Sequence, residues 1–267
     1  MTALGDAIRD CATMFRRDLR HSLHYPAMTI SGMLVPVIFL LLFAGVFGHT
    51  LTAGLSGGLD MVAPGATRYI DFLAPGILVM TAGFAAEATA VNVCTDFREG
   101  IIDRFRTMAI SRGSVLSGQV MGSLLRTLLS AAVVVAIAVA MGFRSSATPL
   151  AWLGVAGVFA MLTVALTWLT MAFGLHAKTP AGANSLALLP AVLPFVSSAF
   201  VPPAAMPSGV RWFAQNEPFS PVIDTLRGLL TSTGIGDHAA VAAAWCAAIA
   251  LAGYLWARSL YSRGPAR

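Results

Sequence analysis

Six apolar stretches, at 27–48, 70–93, 115–142, 151–175, 183–203 and 239–257, leave almost no chain free to form anything else. A helix needs about 20 mostly apolar residues to cross the hydrocarbon core of a bilayer, and each stretch is of that order. Charged residues make up only 11% of the chain and the AVILMFWYC set 57%. Soluble domains carry about 25% charged residues, and a surface with so few charges could not face water. The sequence therefore predicts an all-α polytopic membrane protein with six transmembrane helices over 26–260.

Cations sort onto alternate connections, which is how membrane topology is set. Arg9, Arg16, Arg17, Arg20, Arg98, Arg104, Arg106, Arg112, Lys178, Arg258, Arg263 and Arg267 share one side, with Arg126 near it. Only Arg68, Arg144, Arg211 and Arg227 fall on the other. Both termini, including the tail at 261–267, are therefore expected in the cytoplasm. The net charge of +5 is not gathered into a patch with interleaved aromatics, so nucleic acid is not an expected partner. No cleavable signal peptide is expected, because the first span begins near Ala27. Cys11, Cys94 and Cys246 are odd in number and lack metal spacing, and read as small apolar fillers.

Three segments between the spans carry more information than a turn needs. In 1–25, Leu4, Ala7, Ile8, Cys11, Phe15, Leu19 and Leu23 recur at helical spacing, as in an amphipathic helix lying in the membrane interface. Pro26 then separates that helix from the first span. In the cytoplasmic segment 96–112, Phe97, Ile101, Phe105 and Met108 form one apolar stripe amid charges of mixed sign. Such a helix can dock in a groove on a cytosolic partner. The external segment 204–232 is punctuated by prolines, with Trp212 and Phe213 placed as interfacial aromatics. There Pro218 and Pro221 introduce a short helix whose Asp224 and Arg227 can pair at i,i+3. Irregular backbone inside a bilayer must be covered by protein or water, and short re-entrant helices would satisfy that.

Glu87 and Arg126 are charges inside spans, each costing about 2.5–3.5 kcal/mol at a helix centre unless paired or hydrated. They can pair with one another. Gly118 and Gly122 form a GxxxG suited to close helix packing. No GxxxxGK[ST], HExxH or GxSxG sequence occurs, so a Walker-type ATP site and those hydrolase chemistries are not expected on this chain.

The stretch Phe97-Arg-Glu-Gly-Ile-Ile-Asp-Arg-Phe105 ahead of Ile110-Ser-Arg112, and Asn216-Glu-Pro-Phe-Ser-Pro-Val-Ile-Asp-Thr-Leu-Arg-Gly-Leu-Leu230, resemble motifs of type-2 ABC exporter permeases, in particular the daunorubicin-resistance-like branch. Glu217 is a departure, standing where many relatives run Asn directly into Pro. The resemblance implies a coupling helix at 96–112 against a separate ATPase subunit, with Phe97, Arg98, Glu99, Arg104 and Phe105 as contacts. It also implies re-entrant helices at 204–232, and two permease subunits working with two nucleotide-binding subunits that hold the ATP and Mg. No cofactor is expected on this chain, which would not itself be an enzyme. The permease could pair with itself or with a similar chain in a bacterial plasma membrane. Apolar walls suit a hydrophobic or amphipathic cargo such as a drug, polyketide or lipid. An ion-coupled carrier acting alone and a non-transporting membrane scaffold remain as alternatives, separated by ion-gradient dependence and by ATPase association without cargo movement.

Overall fold

The computed structural model describes residues 26–46, 68–99, 112–203 and 206–263. The expected interfacial helix at 1–25 and most of the coupling segment, with Arg104 and Phe105, lie outside the described residues. So does the end of the tail.

Eight α-helices and no strand occur among the described residues. They are α1 (Pro26–Leu40), α2 (Tyr69–Arg98), α3 (Arg112–Ala140), α4 (Pro149–His176), α5 (Pro180–Val192), α6 (Ser208–Asn216), α7 (Phe219–Thr231) and α8 (His238–Arg263). Helices at Tyr69–Arg98, Ser117–Ala140, Pro149–His176 and His238–Tyr261 are long and apolar enough to cross a membrane. The first and fifth expected spans form shorter apolar helices, Met33–Val46 and Pro180–Val196. α1 gives way to a π-helical turn at Leu41–Val46.

Local chemistry explains the helix ends. Thr148 and Thr179 each precede a proline, and their side chains accept from the Ala151 amide at 3.3 Å and the Gly182 amide at 3.1 Å. A threonine cap followed by proline in the first turn starts a helix efficiently, since the missing proline N–H would have no partner there. Only residues 177–179 separate α4 from α5. The fifth helix stops earlier than the apolar run suggests: a 3₁₀ turn at Leu193–Val196 follows α5, and the chain then bends. Pro194 removes a backbone donor. The Ser197 hydroxyl then donates to the Pro194 carbonyl at 2.6 Å and accepts from the Ala199 amide at 3.2 Å, closing the turn.

α2 and α4 are the two hubs, α2 packing against α1, α3, α4, α5 and α7 and α4 against α2, α3, α5, α7 and α8, whereas α8 rests on α4 and α7. One core joins Leu73, Ile77, Leu162, Phe200, Phe219 and Leu226 near the end that holds α6 and α7. A smaller cluster of Val93, Val120, Met171 and Tyr261 lies toward the other end. These are termed the outer and inner ends after the topology expected from the cations. Between apolar helices in lipid, van der Waals fit replaces the hydrophobic drive, and small residues permit it. A Cβ on Gly174 would sit 2.5 Å from the Ala90 carbonyl oxygen of α2. One on Gly253 would sit 2.6 Å from the Leu169 nitrogen of α4. Gly118 and Gly122 are both buried.

Candidate functional site

The outer end is closed by a polar network that ties α7 to the turn after α5. Ser198 is fully buried and gives all its polar groups to α7. Its amide donates to Ser220 Oγ at 3.1 Å, its hydroxyl donates to Asp224 Oδ1 at 3.0 Å, and its carbonyl accepts from Arg227 Nη2 at 2.8 Å. Arg227 also reaches Asp224 Oδ1 at 2.7 Å and stands 4.1 Å from the centre of the Phe72 ring on α2. The i,i+3 spacing thus places Asp224 and Arg227 together, and the aromatic face adds a cation–π contact. Val222, Leu226 and Leu230 bury the apolar side of the same helix. Pro218 stands just before α7, and Pro221 is buried within its first turn.

Glu217 lies between α6 and α7 and is only 4% exposed. Its Oε1 accepts from both the amide and the hydroxyl of Ser220, at 2.9 Å and 3.1 Å, while Oε2 is buried without a hydrogen-bond partner. Burial pushes its carboxyl up to about 7; the Ser220 and Phe219 hydrogen bonds oppose that rise, and nearby Asp224 adds to it. Arg227 Nε is likewise buried without a partner.

Two further contacts hold this cap to the helix bundle. Asp71, in the first turn of α2, accepts from the Arg68 amide at 3.1 Å and the Arg144 amide at 3.2 Å, fastening the α3–α4 connection. That connection reaches α7, where Ser145 Oγ donates to the Leu230 carbonyl at 2.8 Å and Ser232 Oγ donates to the Ser146 carbonyl at 3.0 Å. Gly142, at φ +101°, makes the turn beneath the Arg68 guanidinium, a conformation side-chain-bearing residues rarely adopt. Tyr69 Oη donates to the Phe200 carbonyl at 3.2 Å.

At the inner end α2 runs on through Arg98, so the first residues of the expected coupling segment continue the span rather than start a new helix. Phe97 packs on the inner cluster, Arg98 Nη1 donates to the Lys178 carbonyl, and Glu99 is exposed. Gln119 Nε2 on α3 donates to Asp96 Oδ2 at 3.3 Å. Midway, buried hydroxyls of Thr89, Ser123 and Thr167 link α2, α3 and α4 at 3.0 Å and 3.4 Å. This register sets Glu87 and Arg126, both partly buried, at the same level of adjacent antiparallel helices.

Sequence reasoning missed Ser198, Ser220, Asp71 and the hydroxyl ladder, because isolated serines and threonines in apolar runs carry no spacing signal. Glu217 had one: an acid set among prolines and aromatics.

The model of the family described as ABC-2 type transporter matches residues 9–231. The daunorubicin resistance ABC transporter permease protein DrrB1 of Streptomyces coeruleorubidus is 29% identical over 237 residues, 86% of this chain and 78% of that protein. The putative transport permease ycf38 of Porphyra purpurea is 29% identical over 215 residues, 78% of this chain and 69% of its own. A probable doxorubicin resistance ABC transporter permease protein DrrC of Mycobacterium tuberculosis is 22% identical over 203 residues, covering 74% and 68%.

Proposed function

Because this chain belongs to the ABC-2 type transporter family, we propose that it is the membrane permease of an ATP-driven exporter, moving a hydrophobic or amphipathic compound out of a bacterial cell. Relatives named for daunorubicin and doxorubicin resistance support a drug-like cargo. In this reading the chain crosses the membrane six times with both termini in the cytoplasm. It pairs with a second permease and takes its energy from two separate ATPase subunits, which hold the ATP and Mg.

The observation that carries the reading is the path of α2. At 30 residues it is about 45 Å long, enough to reach from one membrane face to the other. Its inner end leads into the charged, aromatic segment at 96–112, and its outer end carries Asp71, Phe72 and Tyr69 against the cap. Movement imposed by the ATPase on the inner segment would tilt α2 as a rod and strain the cap contacts around Arg227. Cargo leaves there, through 204–232. Phe97 and Arg98 root the coupling segment in the bundle, and Glu99, Arg104 and Phe105 are the proposed contacts with the ATPase. Glu87 and Arg126 stand at the same level of α2 and α3 but form no ion pair with each other in this structure. In this reading they pair when the helices shift, which would reduce the cost of burying either charge.

The test is Arg104→Glu combined with Phe105→Ala, in membranes containing the permease and an ABC ATPase subunit. Cargo-stimulated ATP hydrolysis should fall at least tenfold while the amount of inserted permease stays the same. Normal stimulation in the double variant would remove the coupling assignment.

A further inference from the structure

Glu217 enters the cap with half of its carboxyl unanswered. Both donors of Ser220 converge on Oε1, which leaves Oε2 as the position for a hydroxyl. A buried carboxylate oxygen with neither donor nor cation is costly, and a protonated carboxyl removes the charge. Among the described residues, the charged groups around it do not supply a cation. Asp224, one helix turn beyond Ser220 on α7, is itself an acid and opposes ionisation of Glu217. Arg227 is engaged by Asp224, the Ser198 carbonyl and the Phe72 ring. On α6, Arg211 donates to the carbonyls of Pro203 and Met206. From α2, Asp71 accepts backbone amides and Tyr69 donates to Phe200.

We infer that Glu217 is a proton-binding site built into the cap: Oε2 holds a proton while the α6–α7 corner is closed, and loses it when the corner opens to water. The corner is suited to this role because Glu217 is the joint itself. Its amide ends α6 on the Phe213 carbonyl at 3.0 Å, and its side chain begins α7 at the Ser220 amide. Through Ser220 and Ser198 the same joint reaches Asp224 and Arg227. A charged Glu217 demands water at that joint, and admitting water separates α7 from the turn at 197–200.

The direction of the effect follows from linkage. The closed cap binds the proton more tightly than solvated carboxyl does, since burial raises Glu217 from 4.5 to about 7. Raising the pH between those limits therefore favours opening, and acid holds the cap shut. Above the upper limit the bias is constant. The inference takes from the exporter reading only the side of the membrane from which the proton comes.

The experiment is an infrared titration of the full-length permease in lipid nanodiscs, requiring neither ATPase nor cargo, so that it fails or succeeds independently of that reading. The wild type should show a protonated-carboxyl band that persists above the range of ordinary Asp and Glu and disappears near pH 7. Glu217→Gln should lack that band. Ser220→Ala removes a hydroxyl donor that favours the charged form, and should move the band's disappearance to higher pH while leaving the carboxyl in place. Hydrogen exchange at Phe219–Ile223, corrected for intrinsic rate, should rise between about pH 5 and about pH 8 in the wild type and stay flat in Glu217→Gln. A wild type and Glu217→Gln that titrate alike would overturn the inference. If Glu217→Gln does not insert, an unmoved band in Ser220→Ala would do the same.

Discussion

α2 and α8 are both long apolar helices, yet they do opposite things in the fold. In the most apolar window of α2, 67% of residues are buried within the chain; in that of α8, 17% are. α8 shows Val241, Trp245, Leu251, Leu255 and Trp256 on its outside, and meets the bundle along one narrow face. In water this exposure would be ruinous, whereas in a bilayer a lipid-facing leucine costs nothing. What separates the two helices is the number of elements that touch them. α2 is held by five helices and carries contacts to both ends of the molecule, so its displacement is felt everywhere. α8 can shift with far less consequence.

The harshest way to test that contrast is to wedge each helix away from α4. Gly174 and Gly253 lie in equally tight contacts, one against the Ala90 carbonyl of α2 and the other joining α8 to the Trp168–Leu169 backbone. Leucine at either site forces the helices apart, since interiors tolerate little overpacking. Gly174→Leu should abolish detergent-stable monodisperse protein. Gly253→Leu should destabilise by about 1–3 kcal/mol and still yield folded permease by size-exclusion profile and thermal melting. Gly157, which has open space around it, serves as the control and should accept leucine without loss. Equal damage from the Gly174 and Gly253 variants would show that α2 has no special standing.

A second test acts on the outer end of α2 alone. Asp224→Asn removes the charge that answers Arg227 and leaves the guanidinium with the Ser198 carbonyl and the Phe72 ring. Arg227 is 11% exposed and Asp224 29%, so solvent screens the pair in part and the expected loss is about 2 kcal/mol. Proteolysis should then become faster at the α6–α7 corner than at the α8 termini. Cleavage that begins in α8 instead would mean that the cap does not depend on this pair.

Much of this was legible in the residues, for reasons that also mark the limit. Apolar run length identifies helices that can cross a bilayer. Asp224 and Arg227 announce their pairing by spacing. The central position of α2 was not legible: protein-facing and lipid-facing positions are both apolar, so a membrane helix lacks the polar face that orients a soluble one. The early end of α5 was hidden too, because Ser197 and Ser198 look like tolerated small residues until the Ser197 hydroxyl is seen closing a turn and the Ser198 hydroxyl reaching Asp224 of α7. Glu217 stood out as a departure from related sequences, but only the structure shows its carboxyl buried, with Oε2 left without a partner among the described residues.

The smallest expected effects make the sharpest comparison, because they contrast a buried hydroxyl with a lipid-facing leucine. Ser123 links Thr89 of α2 to Thr167 of α4, and Ser123→Ala deletes the middle of that ladder. Thr89 and Thr167 keep their bonds to the Ala85 and Thr163 carbonyls, so neither becomes an unsatisfied group. Hydrogen bonds between membrane helices are worth about 0.6 kcal/mol on average, and the loss should be of that order. Leu255→Ala on α8 removes more atoms yet uncovers only a site that lipid refills, since Leu255 is 53% exposed. Its cost should stay under about 0.5 kcal/mol. Thermal melting of both variants in the same nanodiscs decides the ranking. If the leucine proves the more costly, α8 must be covered by protein rather than lipid, and a second copy of the chain becomes the first surface to examine.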